Sequence, residues 1–581
     1  MKNKVEFCHL KTPFEEMSQS GWEEYPRPLM KRESYISLCG QWDLFLKKHG
    51  EDEFVSLGKI TVPYPPESRI SGIFREKDRK DKYIYKKSFC VERDFNCGLV
   101  YIHFGAVDQI CKLSVNGSTP FEHTGGYLPF SFEIGRYLTE GENIIEVEVT
   151  DELDTDLAYG KQREKRGGMW YTPICGIWQP VWLESVPAEH FENIVITPSI
   201  DSVTIKTKGG KNNKKLSVDT EDGVQEFEYQ GDSVEIQIKN PHNWTPEDPY
   251  LYYFTLTDGR DKIKSYFALR TVTVEKRGER NYVCLNGKPY FFHGLLDQGY
   301  FSDGIYTPAT PEGYKWDILT MKSLGFNMLR KHIKIEPQLF YHYCDKYGMI
   351  VFQDMVNSGK YNFIIDTALP TVGMKRGISH RPSNRRKEEF EKSAKATAAL
   401  LHNHPSVCYY TIFNEGWGQY DSDRIYSEMK RLYPDRVWDS TSGWFFGKLS
   451  DVKSEHIYFK KLNMKEERGR PLVISEFGGY SLKVKDHSFN LSKNYGYKTF
   501  YNSKELTEGL KNLYLSEVIP EIENKGLCAA VLTQLSDVED ETNGMCTYDR
   551  QVIKVEANEM QSIAEALRAT FEERIREDEM K

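Results

Sequence analysis

Several things this chain does not contain narrow its identity before any motif is read. No stretch of its 581 residues approaches the roughly 18 consecutive apolar residues of a membrane helix. The N-terminus, MKNKVEFCHLKTPFEEM, lacks the apolar core of a secretory signal. The expectation is a cytoplasmic protein with no membrane partner. The 11 cysteines contain no CxxC pair and no Cys/His ligand spacing, and an odd number scattered through a long chain does not make a disulfide framework. There is no extended basic face either. The 77 basic and 86 acidic residues are interspersed and sum to a net charge of -9, so nothing is offered to a phosphate backbone and nucleic acid is not an expected partner. No internal repeat and no low-complexity tract interrupts the chain.

What is present fits a multidomain globular protein. The length exceeds what one hydrophobic core supports, and hydrophobic residues at 39% and charged residues at 28% match an ordinary soluble composition. Aromatic residues reach 13%, which fits large aromatic cores and also the stacking platforms on which the C–H faces of sugar rings pack. From about Tyr35 to Pro187 the chain runs in short alternating segments such as KYIYKKSFCV, LVYIHFGAV and NIIEVEVTD with turn signals between them, the pattern of half-buried strands. Residues 1–187 are read as a β jelly-roll sandwich. Residues 188–274, with IVITPSI, SVTIKTKG, SVEIQIKN and YYFTLTD, have the length and spacing of an immunoglobulin-like β-sandwich.

Residues 275–581 change character, because helical stretches such as PEGYKWDILTMKSLG and RKEEFEKSAKATAALLHNH now alternate with short apolar runs. YFFHGLL, FNMLRKH, MIVFQD, VCYYTIFNE, RVWDSTSG, HIYF, PLVISEF and AAVLTQLSD supply eight strands, the number in a (β/α)₈ barrel, whose active sites lie at the C-terminal strand ends. His332, Asp354, Asn414, Glu415, Tyr458 and Glu476 all fall at such ends. Glu415 in TIFNEGWG and Glu476 in PLVISEFGG both close an apolar strand and precede a glycine-containing turn. A single glutamate so placed is more often a solvated loop residue. Two in one barrel mouth can divide the work of glycoside cleavage, one protonating the leaving oxygen and the other meeting the developing positive charge at carbon.

Seven motifs in order carry a resemblance to glycoside hydrolase family 2, the group of β-galactosidases, β-glucuronidases and β-mannosidases. GMWYTPICGIWQPVWLE is similar to the signature closing its first domain; NWTPEDPYLY and FALRTV follow in the second; LNGKPYFFHG, LGFNMLR, NEGWG and ISEFGG follow in the barrel. The resemblance implies a retaining exo-β-glycosidase with Glu415 as general acid/base and Glu476 as nucleophile. It further implies Asn414 at the sugar 2-hydroxyl, Arg330 beneath the nucleophile and Tyr458 donating to it. RKHIKIEP departs from the family's usual Arg-x-x-His-Tyr-Pro, so His332 and Lys331 occupy shifted positions. Asp354 and Asn357 are further candidate sugar ligands, Trp417 and Trp444 candidate stacking surfaces, and Gln534 or Glu539 candidates after strand 8, where the family often carries a tryptophan. No metal and no cofactor is expected. The partner expected is a carbohydrate β-glycoside, with a homo-oligomer left open.

For the sugar, a neutral β-galactoside is preferred. The alternative is a β-hexuronide, glucuronide or galacturonide, read by a cation from Arg330, Lys331, His332 and Lys334 or from Arg376, Arg381, Arg385 and Arg386. On the neutral reading Arg330 is occupied by Glu476 and the other cations face solvent. A non-catalytic carbohydrate-binding protein is the remaining alternative, disfavoured by the presence of both glutamates. A retaining mechanism requires the Glu415 and Glu476 carboxyl groups to stand roughly 5–5.5 Å apart.

Overall fold

The computed structural model of the chain describes residues 10–17, 22–76, 78–92, 94–118, 121–371 and 381–580. The first two β regions form antiparallel sandwiches, as the alternation requires. In Gly141–Thr150, Asn143, Ile145, Val147 and Val149 are buried while the residues between them are not. That strand lies inside a six-stranded sheet, which packs on a four-stranded sheet containing Leu99–Phe104 and Val181–Val186. The second sandwich sets a three-stranded sheet from Phe191–Pro198, Ser202–Gly209 and Ser233–Gln237 against a four-stranded one.

The third region is a barrel of eight parallel strands: β1 Phe292–Asp297, β2 Met328–Lys331, β3 Ile350–Asp354, β4 Val407–Asn414, β5 Val437–Ser442, β6 Lys453–Ile457, β7 Leu472–Gly478 and β8 Leu527–Thr533. They pair in the order β5-β4-β3-β2-β1-β8-β7-β6, and the end strands β5 and β6 pack side by side. Every residue of β1, β2, β3, β4, β5 and β8 is buried, which explains why these strands read as continuous apolar runs rather than as alternation. Helices α1 Glu312–Ser323, α2 Gln338–Tyr347, α3 Asn384–Leu401, α4 Ser422–Leu432, α5 Ser503–Leu513, α6 Ile519–Lys525 and α7 Ala557–Glu579 surround it. No helix follows β5 or β6 among the described residues. No helix among them is long and apolar enough to cross a membrane.

The foot of the barrel is filled rather than hollow. Phe292, Met328, Phe352, Tyr409 and Val531 meet there with Val272, Val283 and Leu285 from a short sheet preceding β1, and the Phe352 and Tyr409 rings stack at 4.1 Å. The division expected between residues 274 and 275 falls within the strand Val272–Arg277 of that sheet. The second sandwich is fastened beside it through Asp345 of α2. Asp345 accepts from Tyr266 Oη at 2.7 Å, His404 Nδ1 at 2.6 Å and Ser406 N at 2.9 Å, while its carbonyl accepts from Trp244 Nε1 at 2.8 Å. Asp345→Ala strands the Tyr266, His404 and Ser406 donors, leaving the Trp244 bond to the backbone carbonyl, and is expected to lower stability by about 3 kcal/mol. The measurement is the thermal midpoint, expected to fall by roughly 5 °C or more. A midpoint within about 1 °C of wild type would show that Asp345 does not hold the two domains together.

Candidate active site

The chemistry gathers around one guanidinium. Arg330 ends β2 at 1% exposure, where an unmatched donor is costly, and its donors are matched. Nε bonds Asp354 Oδ1 at 3.0 Å, Nη1 bonds Ser475 O at 2.9 Å and Glu476 Oε1 at 3.1 Å, and Nη2 bonds Asn414 Oδ1 at 2.8 Å and Ser442 Oγ at 2.9 Å. The ends of β2, β3, β4, β5 and β7 are thereby tied to a single group. Burial alone would ease the proton off Arg330, but the carboxylates of Asp354 and Glu476 outweigh it and raise the pKa.

Glu476 receives a second donor, Tyr458 Oη at 2.8 Å, whose oxygen also lies 2.6 Å from Thr533 Oγ1. Glu415 has no such direct cation. Its Oε1 lies 2.8 Å from His456 Nδ1, which is also 3.4 Å from Glu476 Oε2. Burial raises the Glu415 carboxyl pKa above the ordinary value, against the opposing charges of Lys161, His332 and Arg330. Burial likewise pushes the His456 ring down to about 4. His456 is therefore neutral near pH 7: Nδ1–H donates to Glu415, and Nε2 faces Arg330 Nη1 at 3.3 Å. An oxygen of Glu415, an oxygen of Glu476 and a ring nitrogen of His456 lie within 4.8 Å of one another. These three could ligate a metal ion, but a cation there would compete with the contacts that hold both carboxylates.

The backbone of Glu415 has φ +54°, a conformation that non-glycine residues seldom adopt and that persists only where the surroundings dictate it. Glu415 N donates to Ser442 O at 3.0 Å, and the next residue, Gly416 at φ +75°, passes so close to Phe445 that a Cβ would sit 2.2 Å from its ring.

The other residues named from sequence divide into three groups. Asn414 keeps its Nδ2 unengaged among the described residues, because Arg330 and Ser442 both use Oδ1. His332 is buried with Nδ1 2.7 Å from Asp354 Oδ2, and burial lowers its pKa against the raising effect of that contact. Trp444 packs edge-on to His456 at 5.7 Å.

Three candidates are committed to the protein instead of facing a sugar. Asp354 spends both oxygens on Arg330 and His332. Gln534, with no exposed surface, donates to Glu541 and Asn543 and accepts from Gln298. Trp417 is 3% exposed, enclosed by Tyr159, Trp170 and Tyr361, and donates to Gly359 O. Asn357 Nδ2 donates to Trp417 O at 2.9 Å, and Glu539 accepts from Thr172 N at 2.8 Å.

The basic residues after β2 do not face solvent. Lys331 Nζ lies 2.6 Å from Asp297 and 2.9 Å from Glu336, and Lys334 Nζ lies 2.9 Å from both Glu336 oxygens. Both lysines are buried, because the loop turns them under the mouth and into an acidic cage. Arg381 is exposed, Arg385 pairs with Asp154 at 2.7 Å and Arg386 donates to Gly418 O at 2.9 Å; Arg376 lies outside the described residues.

Sequence reasoning missed His456, Glu541 and Lys161. His456 stands two residues before Tyr458, so the strand period of two was a usable signal for a shared face. Glu541, beyond β8, is raised to about 7 by burial and accepts from Tyr171 Oη of the first domain at 2.7 Å. Lys161 also comes from the first domain, and its charge acts on Glu415, His332 and His456. A cavity of about 730 Å³ lined by Arg69, Arg166, Phe489, Glu539 and Tyr548 contains neither catalytic candidate, so electrostatics rather than cavity size locates this site.

Comparison with known proteins covers all three regions. The sugar binding domain of glycosyl hydrolases family 2 matches residues 33–187, the central model of that family matches 196–270 and its TIM barrel domain matches 277–478. A beta-galactosidase from Thermoanaerobacter pseudethanolicus is 30% identical over 51% of this chain and 42% of its own; the chain spans about two fifths of the length of such curated relatives. Among solved structures, a beta-D-glucuronidase from Dictyoglomus thermophilum aligns with TM-score 0.74 at 19% identity, over 93% of this chain and 98% of that one. A beta-galacturonidase from Eisenbergiella tayi bound to galacturonate aligns with TM-score 0.67 at 18% identity, over 93% and 98%. Likeness at that identity speaks for the fold alone.

Arg330→Lys retains a charge but replaces a five-donor fork by one ammonium. Turnover is expected to fall about 100-fold, as for loss of positioning in a preorganised site, with the circular-dichroism spectrum unchanged. Near-native turnover of an aryl β-glycoside by this variant would refute the organising role of Arg330.

Proposed function

We propose, because the chain belongs to glycosyl hydrolases family 2, that it is a retaining exo-β-glycosidase working by double displacement. The observation that carries this reading is a pair of carboxylates in opposite surroundings whose nearest atoms lie within 4.8 Å. That approach is closer than the roughly 6.5–9.5 Å an inverting pair keeps for an intervening water.

On this reading Glu476, in hydrogen-bond contact with Arg330 and Tyr458, attacks the anomeric carbon. Glu415, whose proton is held by burial, delivers it to the departing glycosidic oxygen. The first step forms a bond from carbon to Glu476 and breaks the bond to the aglycone. In the second, Glu415 as carboxylate takes a proton from water, whose oxygen attacks the same carbon and releases Glu476. Neutral His456 donates to Glu415 throughout and adds no positive charge, while Asn414 Nδ2 is placed to donate to the sugar 2-hydroxyl as positive charge develops.

The sugar is the finer question. The neutral β-galactoside reading draws support from the basic residues after β2, all of which are engaged by protein carboxylates. The acidic-sugar reading draws on a different residue, Lys161, taken up below.

Glu415→Gln should cut kcat/KM at least about 100-fold for alkyl glycosides and far less for dinitrophenyl ones, whose leaving group needs no proton. The high-pH limb of the profile, which in the wild type falls as Glu415 loses its proton, should vanish with the activated substrate. Equal losses on both substrates, or a retained limb, would remove Glu415 from the acid role. A 2-deoxy-2-fluoro glycosyl fluoride should add one glycosyl mass to the peptide carrying Glu476; labelling of any other residue would reassign the nucleophile.

A further inference from the structure

Resting on the glycosidase reading of this site, we propose that Lys161 is its anion-reading residue, so that the terminal sugar is a uronic acid whose carboxylate meets the Lys161 ammonium. Lys161 belongs to the first domain, yet the chain around it is pressed into the barrel mouth. Gly160, at φ +62°, runs so close to the barrel that a Cβ there would lie 3.0 Å from Ile333 O and 2.7 Å from Tyr127 Oη. On the other side, Gln162 is held by Asp108 Oδ2 and Ile174 N, each at 2.7 Å, and Lys161 O accepts from Tyr171 N at 3.1 Å. The backbone is thus fixed on both flanks, and the side chain extends past the Trp170 ring, with its nitrogen 5.5 Å from the ring centre.

The ammonium at the end of that side chain is the unusual feature. Lys161 is 8% exposed, and its Nζ has no hydrogen-bond acceptor or ion pair among the described residues. Proteins pair the charges they bury, and the other buried cations around this mouth are paired: Arg330 with Asp354 and Glu476, Lys331 with Asp297, Lys334 with Glu336. The charge of Lys161 is felt by Glu415 after β4, His332 after β2, His456 on β6 and Glu541 after β8. Groups on four sides of the mouth sense it together only if it lies over the space they enclose.

None of the acids there is its hydrogen-bond partner. Glu415 is engaged by His456, and Glu541 by Tyr171 and Gln534. Arg163 lies over the same Trp170 ring, at 5.1 Å, but is exposed; Lys161 is the cation enclosed at the mouth, and a single ammonium suits a singly charged carboxylate better than a phosphate or sulfate, which cation clusters take. On the neutral-sugar reading Lys331 and Lys334 were expected to face solvent; they are buried against Asp297 and Glu336 instead, and Lys161 was not among the cations considered.

The test compares kcat/KM of the purified full chain on paired p-nitrophenyl β-glycosides, glucuronide against glucoside and galacturonide against galactoside. Calorimetric binding of free glucuronate and galacturonate provides a second readout. The wild type is expected to favour the acidic member of at least one pair. Lys161→Met, which keeps the stem beside Trp170, should lower the acidic-to-neutral ratio about 30-fold, the range of one lost hydrogen bond to a charged group. Lys161→Arg should restore part of it. A wild type that favours the neutral member of both pairs, or a ratio unmoved by Lys161→Met, overturns the proposal and leaves the glycosidase reading standing. Uronate binding that Lys161→Met abolishes, without hydrolysis of any glycoside, would support the role of Lys161 and remove the glycosidase reading. Neither hydrolysis nor uronate binding would remove both.

Discussion

A guanidinium at 1% exposure must have its donors satisfied from within, because water cannot supply what the protein omits. Arg330 meets that demand by drawing side chains or carbonyls from β3, β4, β5 and β7 to one point. Each partner is then fixed in turn. Asn414 keeps one face for a ligand because the other is taken, Asp354 turns His332, and Glu476 sits beside a permanent charge. Removing any one partner would leave the remainder with an unmatched buried group, which is why the mouth behaves as a unit rather than as a set of independent side chains.

The three domains divide their contribution by position. The second sandwich touches the foot of the barrel, where Arg270 donates to Pro405 O and Val407 O beneath β4 and Trp244 reaches the end of α2. These contacts hold the strand that carries Asn414 and Glu415 without approaching the chemistry. The first sandwich lies at the other end. Trp170 packs on Trp417 at 5.1 Å, Tyr171 donates to Glu541 and Thr172 N to Glu539, so the segment of residues 160–172 forms a wall of the mouth. A barrel without its first domain would lack that wall and, with it, Lys161.

What the sequence disclosed and what it concealed follow from the range of the interactions involved. Most of the strands were legible, because a parallel barrel buries both faces of its strands and writes them as apolar runs; β6, where Lys453 and Glu455 are only partly buried, was read as HIYF and meets the strand only at His456 and Ile457. Glu415 and Glu476 were legible because each ends such a run. Partners across space were not. Trp417 follows Glu415 by two residues and reads as a stacking surface, but Trp170, far away in sequence, covers it. Gln534 and Asp354 end strands as a ligand would, yet their hydrogen-bonding capacity is spent on Glu541, Arg330 and His332. Lys331 and Lys334 read as a basic patch although Glu336, which pairs with both, stands in the same RKHIKIEP run; only Asp297, which completes the cage, comes from another strand. Lys161 had no signal at all, since nothing local reveals that a loop of one sandwich will reach the mouth of the barrel.

The two catalytic candidates differ less in how many charges surround them than in how those charges reach them. Arg330 and Tyr458 reach Glu476 directly, each donating it a hydrogen bond. Arg330, Lys161 and His332 act on Glu415 without a hydrogen bond to it, and burial outweighs them. Its hydrogen-bond partner, His456, is kept neutral by the same burial, so it orients the carboxyl without adding a cation. The positive φ of Glu415 belongs to the same logic. The turn that Gly416 and the Ser442 carbonyl impose carries the Glu415 side chain toward His456, away from direct contact with Arg330, while Glu476, continuing an extended strand, meets the guanidinium. Backbone conformation at one residue thus sends two identical side chains, a few ångströms apart, to different hydrogen-bond partners.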